Sequence, residues 1–169
     1  MRAVLLSVLL VPVLAWAEPY GVGDMLPAAR FDDQHGRTHT LHGHVRVIVF
    51  SRDMEAGDVI KAALSEDGAR VLGDAGAVYV ADVSGMPAVI RRVFALPRMR
   101  ARGYPMLLDT EGEVTARFPA RAGQATVLVL ENLRVTTVQH HPDAVGLRDA
   151  LTGLAAAPAV PPAAAAARE

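Results

Sequence analysis

The chain contains no cysteine among its 169 residues. That absence excludes structural disulfides, thiolate nucleophiles, dithiol redox chemistry, zinc–thiolate sites and iron–sulfur clusters. Aromatic residues are scarce, at 5%, and Lys61 is the single lysine, so arginine carries nearly all of the positive charge. An excess of either charge is also missing. Seventeen basic against 18 acidic side chains leave a formal −1, without the basic surplus of a general nucleic-acid binder. There is no Gly-x-Gly-x-x-Gly fingerprint, Walker lysine motif, Gly-x-Ser-x-Gly elbow or internal repeat. What is present is an apolar fraction of 51%, enough for one domain with a core that needs no disulfide or metal.

The two ends read differently from the middle. Arg2 is the only charge before Glu18, the stretch from Ala3 is almost wholly apolar, and it closes on Ala15-Trp16-Ala17. A positive start, a short apolar middle and a small-x-small ending describe a secretory signal peptide over residues 1–17. The uncharged run falls short of the roughly 20 residues of a membrane-spanning helix, which favours a cleaved leader over an uncleaved anchor, with no span expected after cleavage. Residues 155–169, AAAPAVPPAAAAARE, contain three prolines and little to bury, and are expected to be a disordered Ala/Pro-rich tail. The domain is expected over residues 18–154.

Within it, Val45 to Phe50 is a β-branched apolar run suited to a strand buried on both faces. Asp53 can cap a helix from Met54 whose apolar stripe is Val59, Ile60, Ala63 and Leu64, with Gly68 as its stop. Ala77 to Val83 is a second strand. Ser84 can cap a further helix with Pro87 in its first turn, Val89, Ile90, Val93 and Phe94 as its buried stripe, and Pro97 closing it. Met106 to Leu108 is a short strand running into the turn Asp109 to Gly112. Thr126 to Leu130 and Arg134 to Val138 form a hairpin, the second strand alternating like an edge or half-exposed strand. Leu147, Leu151 and Leu154 mark a last helix, and Phe31 to Leu41 is a hairpin turning near His35-Gly36. This order predicts an α/β fold with parallel pairing in the first half and antiparallel strands in the second.

The order of elements resembles the thioredoxin fold, in the exported form of peroxiredoxin-like and cytochrome-maturation thioredoxins, over nearly all of residues 22–154. GVGDMLPAARFDDQHGRTHTL is similar to that family's opening, VRVIVFSRDMEAG to the strand and loop that deliver the redox motif, YPMLLDTEGEVTARF to the segment before the last hairpin, and QATVLVLENLRV to the hairpin itself. The resemblance implies a three-layer sandwich with a central mixed sheet flanked by helices. The chain also resembles small exported proteobacterial proteins with a Phe-Ser-Arg-Asp-Met segment, some of them described as FAD/FMN-containing dehydrogenases.

The departures decide the chemistry. Thioredoxins carry Cys-x-x-Cys where this chain has Met54-Glu55-Ala56-Gly57. A thioether cannot ionise, and glycine offers no side chain. At the family's cis-proline stands Ala125, where a trans bond is expected because a non-proline cis bond costs about 3 kcal/mol.

The candidate recognition loop is therefore Ser51, Arg52, Asp53, Met54, Glu55 and Gly57, together with Ala125 at the position matching the cis-proline. One reading is a patch where helix-start amides and Arg52 take an anionic group, although Asp53 and Glu55 would repel it. The other is a capped helix whose Arg52 pairs with Asp53 or Glu55 at the surface. His35, His39, His42 and His44 lie within ten residues, and His140 and His141 can be imagined joining them across the sheet. Three or four converging imidazoles would suit zinc, copper or nickel, but exposed hairpin histidines have the same spacing. Arg91, Arg92, Arg98, Arg100 and Arg102 form a cluster without an acid: a solvated face, or a docking surface for a partner or lipid headgroups. Asp82 ends the second core strand, where α/β folds often bind ligands.

The expected protein is a redox-inactive thioredoxin-like module of the periplasm that binds a protein or peptide. No catalytic residue, cofactor or metal site is assigned. The alternatives are a histidine-dependent metal or haem binder and, more weakly supported, a flavin-linked oxidoreductase.

Overall fold

The computed structural model describes residues 18–65 and 67–156. The expected signal peptide lies outside the described residues, as does all of the expected tail beyond Ala156. In chain order the elements are β1 (Ala29–Asp33), β2 (Thr38–Leu41), β3 (Val47–Ser51), α1 (Met54–Leu64), α2 (Gly68–Ala75), β4 (Ala77–Asp82), α3 (Ala88–Ile90), a π-helical turn (Arg91–Ala95), α4 (Leu96–Arg100), β5 (Met106–Asp109), β6 (Ala125–Glu131), β7 (Arg134–His141) and α5 (Ala144–Ala156).

The strands form one mixed seven-stranded sheet in the order β2-β1-β5-β4-β3-β6-β7. β3, β4 and β5 are parallel neighbours. β6 and β7 add the antiparallel strands expected of the second half on one side of the sheet; on the other, β1 and β2 form an antiparallel pair from the first half, joined to β5. β3 sits deep in the sheet and all five of its residues are buried, as the unbroken apolar run demands. β7 is one of the two edges, in keeping with an alternation that suited an edge or half-exposed strand. Its first half is covered by the N-terminal segment, where Leu26 N–H donates to the Leu133 carbonyl and Val135 N–H to that of Asp24, a natural protection for an exposed strand.

The sheet alternation divides the core in two. Val47, Val49, Tyr79, Ala81, Met106 and Val127 face Ile60, Leu64, Val71, Leu72, Leu147 and Leu151 of α1, α2 and α5. Ile48, Phe50, Val80, Leu107 and Leu128 face the other way, toward Tyr20, Leu26 and Phe118. The sandwich thus has three layers, helices over one face and non-helical chain over the second.

Several local expectations hold. Asp53 caps α1, its Oδ1 accepting from Ala56 N at 2.8 Å. The β1–β2 hairpin turns at Gly36, whose φ is +81°. The Asp33-Gln34 pair that precedes it has a structural purpose. Asp33 takes the turn's amides, while Gln34 reaches across to the Tyr104 carbonyl at 2.9 Å and accepts from Met106 N at 2.8 Å.

Other expectations are corrected. Gly68 does not stop a helix; it begins α2. It is glycine because a Cβ there would lie 2.5 Å from Tyr104 Cδ1 and 2.9 Å from Leu64 Cβ. Ser84 caps no helix, since its hydroxyl donates to Asp82 Oδ1 at 2.7 Å, and Pro87 stands just ahead of α3 rather than within it. Pro97 does not close the third helical segment but lies in the first turn of α4. A proline has no amide for the carbonyl four residues back, and the wider π turn ahead of it absorbs the mismatch. The stripe Val89, Ile90, Val93 and Phe94 is exposed rather than buried. Periodicity puts these side chains together but does not say which way they face, and the helical side of the sheet is already filled by α1, α2 and α5. α5 also runs on to Ala156, two residues into the segment expected as tail.

Candidate functional site

The C-terminal ends of β3 and β4, the start of α1 and the arm from Ala88 to Arg100 enclose a cleft of about 550 Å³. Its floor is Tyr79, Ala81, Tyr104 and Met106. Four of the chain's six methionines, Met54, Met86, Met99 and Met106, line it, with Lys61, Arg98 and Arg102 on the walls. Parallel strands end here side by side, which is why open α/β sheets collect ligand sites at such ends. The loop singled out in the sequence forms one rim: Ser51, Arg52, Asp53, Met54 and Gly57 all border the cleft.

The residues of that loop have distinct duties. Ser51 is buried, its Oγ 2.9 Å from the Tyr79 hydroxyl. Met54 is 78% exposed, an unbranched and polarisable side chain held out at the helix start. Gly57 packs next to the Ser51–Tyr79 pair, and a Cβ there would rest 3.7 Å from the Tyr79 hydroxyl oxygen, an ordinary contact. Ala125 is fully buried at the start of β6, and the peptide joining it to Gln124 is trans. Glu55 is exposed on α1's first turn and approaches Gly123, whose φ is +69°.

Arg52 and Asp53 do not behave as an anion site. Arg52 turns to the second face of the sheet and lies over the Phe50 ring, 5.3 Å from its centroid. Its guanidinium donates to the Thr115 carbonyl at 2.5 Å, the Phe118 carbonyl at 3.1 Å and Asp82 Oδ2 at 3.2 Å. Neither Asp53 nor Glu55 is its partner, and its charge is used to anchor the segment around residues 115–118. The Asp53 carboxylate occupies the amides an anion would use, with Oδ1 on Ala56 N and Oδ2 on Gly123 N at 3.0 Å. The protein supplies its own anion at that helix start. Asp82, paired with Arg52 and Ser84, is likewise satisfied.

Tyr79 is the titratable group buried under the cleft. Burial pushes its phenol up to about 12, with the Ser51 hydrogen bond pulling weakly the other way. Burial also raises Tyr104, opposed by the nearby Arg102. A phenol raised in the folded state stabilises below the unfolded value near 10 and loses that contribution as pH climbs toward 12. Urea unfolding across about pH 10 to 12 is expected to show a fall in stability that is shallower in Tyr79→Phe. An equal fall in both proteins would remove Tyr79 as its cause.

The histidines do not assemble. His39 Nε2 meets Asp33 Oδ2 at 3.0 Å, and His42 and His44 stack edge to face with ring centroids 5.1 Å apart. Gly43 between them lies against Asn132 in the β6–β7 turn, whereas His140 and His141 are at the far end of β7, about 20 Å of strand away. His140 meets Thr126 Oγ1 instead, at 3.1 Å. Burial lowers both His140 and His141. Among the described residues no three His, Asp or Glu side chains come together as metal ligands.

The arginine cluster divides. Arg91 and Arg100 donate to backbone carbonyls of Val83, Thr110 and Gln34, while Arg98 and Arg102 face the cleft. Sequence patterns did not reveal the cleft itself. Its methionines lie in four separate segments, and the only signal was that most of the chain's methionine falls between Met54 and Met106.

No family model and no curated protein sequence matches the chain. Solved structures do. A peroxidoxin from Mycobacterium tuberculosis superposes with a TM-score of 0.55 at 22% identity, over 82% of this chain and 98% of that one. A thio-disulfide isomerase from Thermus thermophilus gives 0.52 at 24% identity, over 83% and 100%. A peroxiredoxin-like protein from Aquifex aeolicus gives 0.53 at 14% identity, over 82% and 90%. The chain has the thioredoxin-like fold, and it carries that fold without a cysteine.

Proposed function

We propose that this chain is an exported, redox-inactive thioredoxin-like module of the periplasm that binds a protein or peptide segment in the methionine-lined cleft. The observation that carries this reading is the cleft's make-up. Its rim is the Ser51–Gly57 loop, which resembles the redox loop of thioredoxins but presents Met54 and Gly57. Its floor is apolar, and Ser51 and Tyr79 satisfy one another below it. Thiol chemistry is excluded by composition. What remains is recognition, for which flexible thioethers suit a ligand of variable apolar shape. The periplasmic assignment rests on the leader expected over residues 1–17. The histidine-held metal or haem reading finds no convergent ligand set among the described residues, and no feature of the cleft favours a flavin.

The test is titration of a reduced, alkylated unfolded polypeptide, followed by fluorescence anisotropy. Saturable binding is expected, and Met54→Glu with Met86→Glu is expected to weaken it roughly tenfold by placing charge on the apolar wall. Both positions lie on the rim, so the thermal melt should be little changed. No binding, equal binding by the variant, or peroxide turnover by the purified chain would overturn the proposal.

A further inference from the structure

The arm from Ala88 to Arg100 carries an outer face that the cleft does not use. Val89, Ile90, Val93 and Phe94 on that face are 70, 45, 55 and 54% exposed, and of these only Ile90 borders the cleft. The arm's inner side is seated by Leu96 and Met99, both half-buried against the core. From Val83 to Leu108 there are five arginines and no acid. Arg92 is exposed, stands outside the cleft and forms no ion pair with the described residues.

We propose that this outer face docks the protein on an anionic lipid surface. Apolar side chains on successive helical turns, bordered by guanidinium groups, match the two layers of a bilayer interface: acyl boundary for valine, isoleucine and phenylalanine, headgroup phosphate for arginine. A second copy of this chain fits less well, because a two-fold contact would bring two acid-free arginine clusters together. An acidic peptide also fits less well. The four side chains project from a convex helical surface, whereas a folded or extended partner needs pockets to fill. A fluid apolar layer has no shape to match. Among the described residues no helix is long and apolar enough to cross a membrane, and the docking proposed for the arm is interfacial. This docking is independent of what the cleft binds.

The test is co-sedimentation of the full chain with vesicles of phosphatidylcholine alone or mixed with phosphatidylglycerol, at low and high salt. It compares the parent with Val93→Ser plus Phe94→Ser and with the charge reversal Arg92→Glu, none of which lines the cleft. All three proteins share the same N-terminal residues, so their differences report the arm. The three positions are exposed, and far-UV circular dichroism melts establish that each variant folds. The parent is expected to sediment with the anionic vesicles and to be released by salt, and each variant to lose roughly tenfold in partitioning. Equal sedimentation with neutral vesicles, or variants that partition like the parent, would sink the proposal. So would a dimer that Phe94→Ser dissolves, or an acidic protein captured through these residues without vesicle binding, each of which names a different occupant.

Discussion

Replacing Asp33 with alanine is expected to destabilise the folded chain by about 3 kcal/mol, among the larger effects of any single substitution outside the apolar core. The Asp33 side chain is wholly buried. It accepts from the backbone amides of His35 at 2.8 Å and Arg37 at 2.9 Å, from the Arg37 guanidinium at 3.0 Å, and meets His39 Nε2 at 3.0 Å. Alanine would leave the two turn amides without an acceptor, and Gln34, which ties the turn to β5, would lose its support. Burial alone would raise the Asp33 carboxyl, but the amide and side-chain hydrogen bonds from Arg37, His39 and His35 outweigh it and hold the group well below the usual carboxylate range. The sign follows from linkage. A depressed native value contributes stability above the unfolded value of about 3.9 and loses it as pH falls further. Asp67, held down to about 2 by the guanidiniums of Arg148 and Arg70, acts in the same direction. Urea midpoints measured at neutral pH and down through the acid range check both points. The alanine variant should start lower and show a flatter acid limb, and a parent-like limb in the variant would contradict this assignment.

Gly68→Ala is expected to cost about 2 kcal/mol and lower Tm by about 5 °C, although alanine is the better helix former by about 1 kcal/mol. The new methyl would fall 2.5 and 2.7 Å from two Tyr104 ring atoms and 2.9 Å from Leu64 Cβ. Neither neighbour can yield cheaply. Tyr104 is buried with its ring tilted against Tyr79, 6.5 Å between centroids, and Leu64 Cβ is fixed to the last turn of α1. Gly73, five residues along the same helix, has nothing within 4 Å of a Cβ, so Gly73→Ala should stabilise by about 0.5–1 kcal/mol. Thermal melts of the two variants thus give opposite signs. A stabilising Gly68→Ala would mean that the corner between α1 and α2 is loose rather than close-packed.

Both predictions concern residues whose local signal was incomplete. The Asp-Gln-x-Gly run marked a hairpin turn correctly, yet Gln34's partners, Tyr104 and Met106, lie some seventy residues away and left no trace nearby. Glycine after an apolar stripe reads as a helix stop, and at Gly68 it is a packing site instead. The difference is made by a tyrosine 36 positions later in the chain.

By itself the sequence determined that thiol redox chemistry is impossible here, because an element that is not in the chain cannot be folded into it. It also determined the α/β order, the strands β3 and β4, the Asp53 cap and the edge or half-exposed character of β7. Those follow from periodicities and cap chemistry that act within a few residues. Only the tertiary structure decided where charges and faces went: that Arg52 anchors Thr115 and Phe118 rather than a ligand, that four methionines share one cleft, that the histidines stay apart, and that Val89, Ile90, Val93 and Phe94 turn outward. A local pattern says which side chains share a face. What covers that face depends on which distant segment reaches it first, and here α1, α2 and α5 had already filled the sheet.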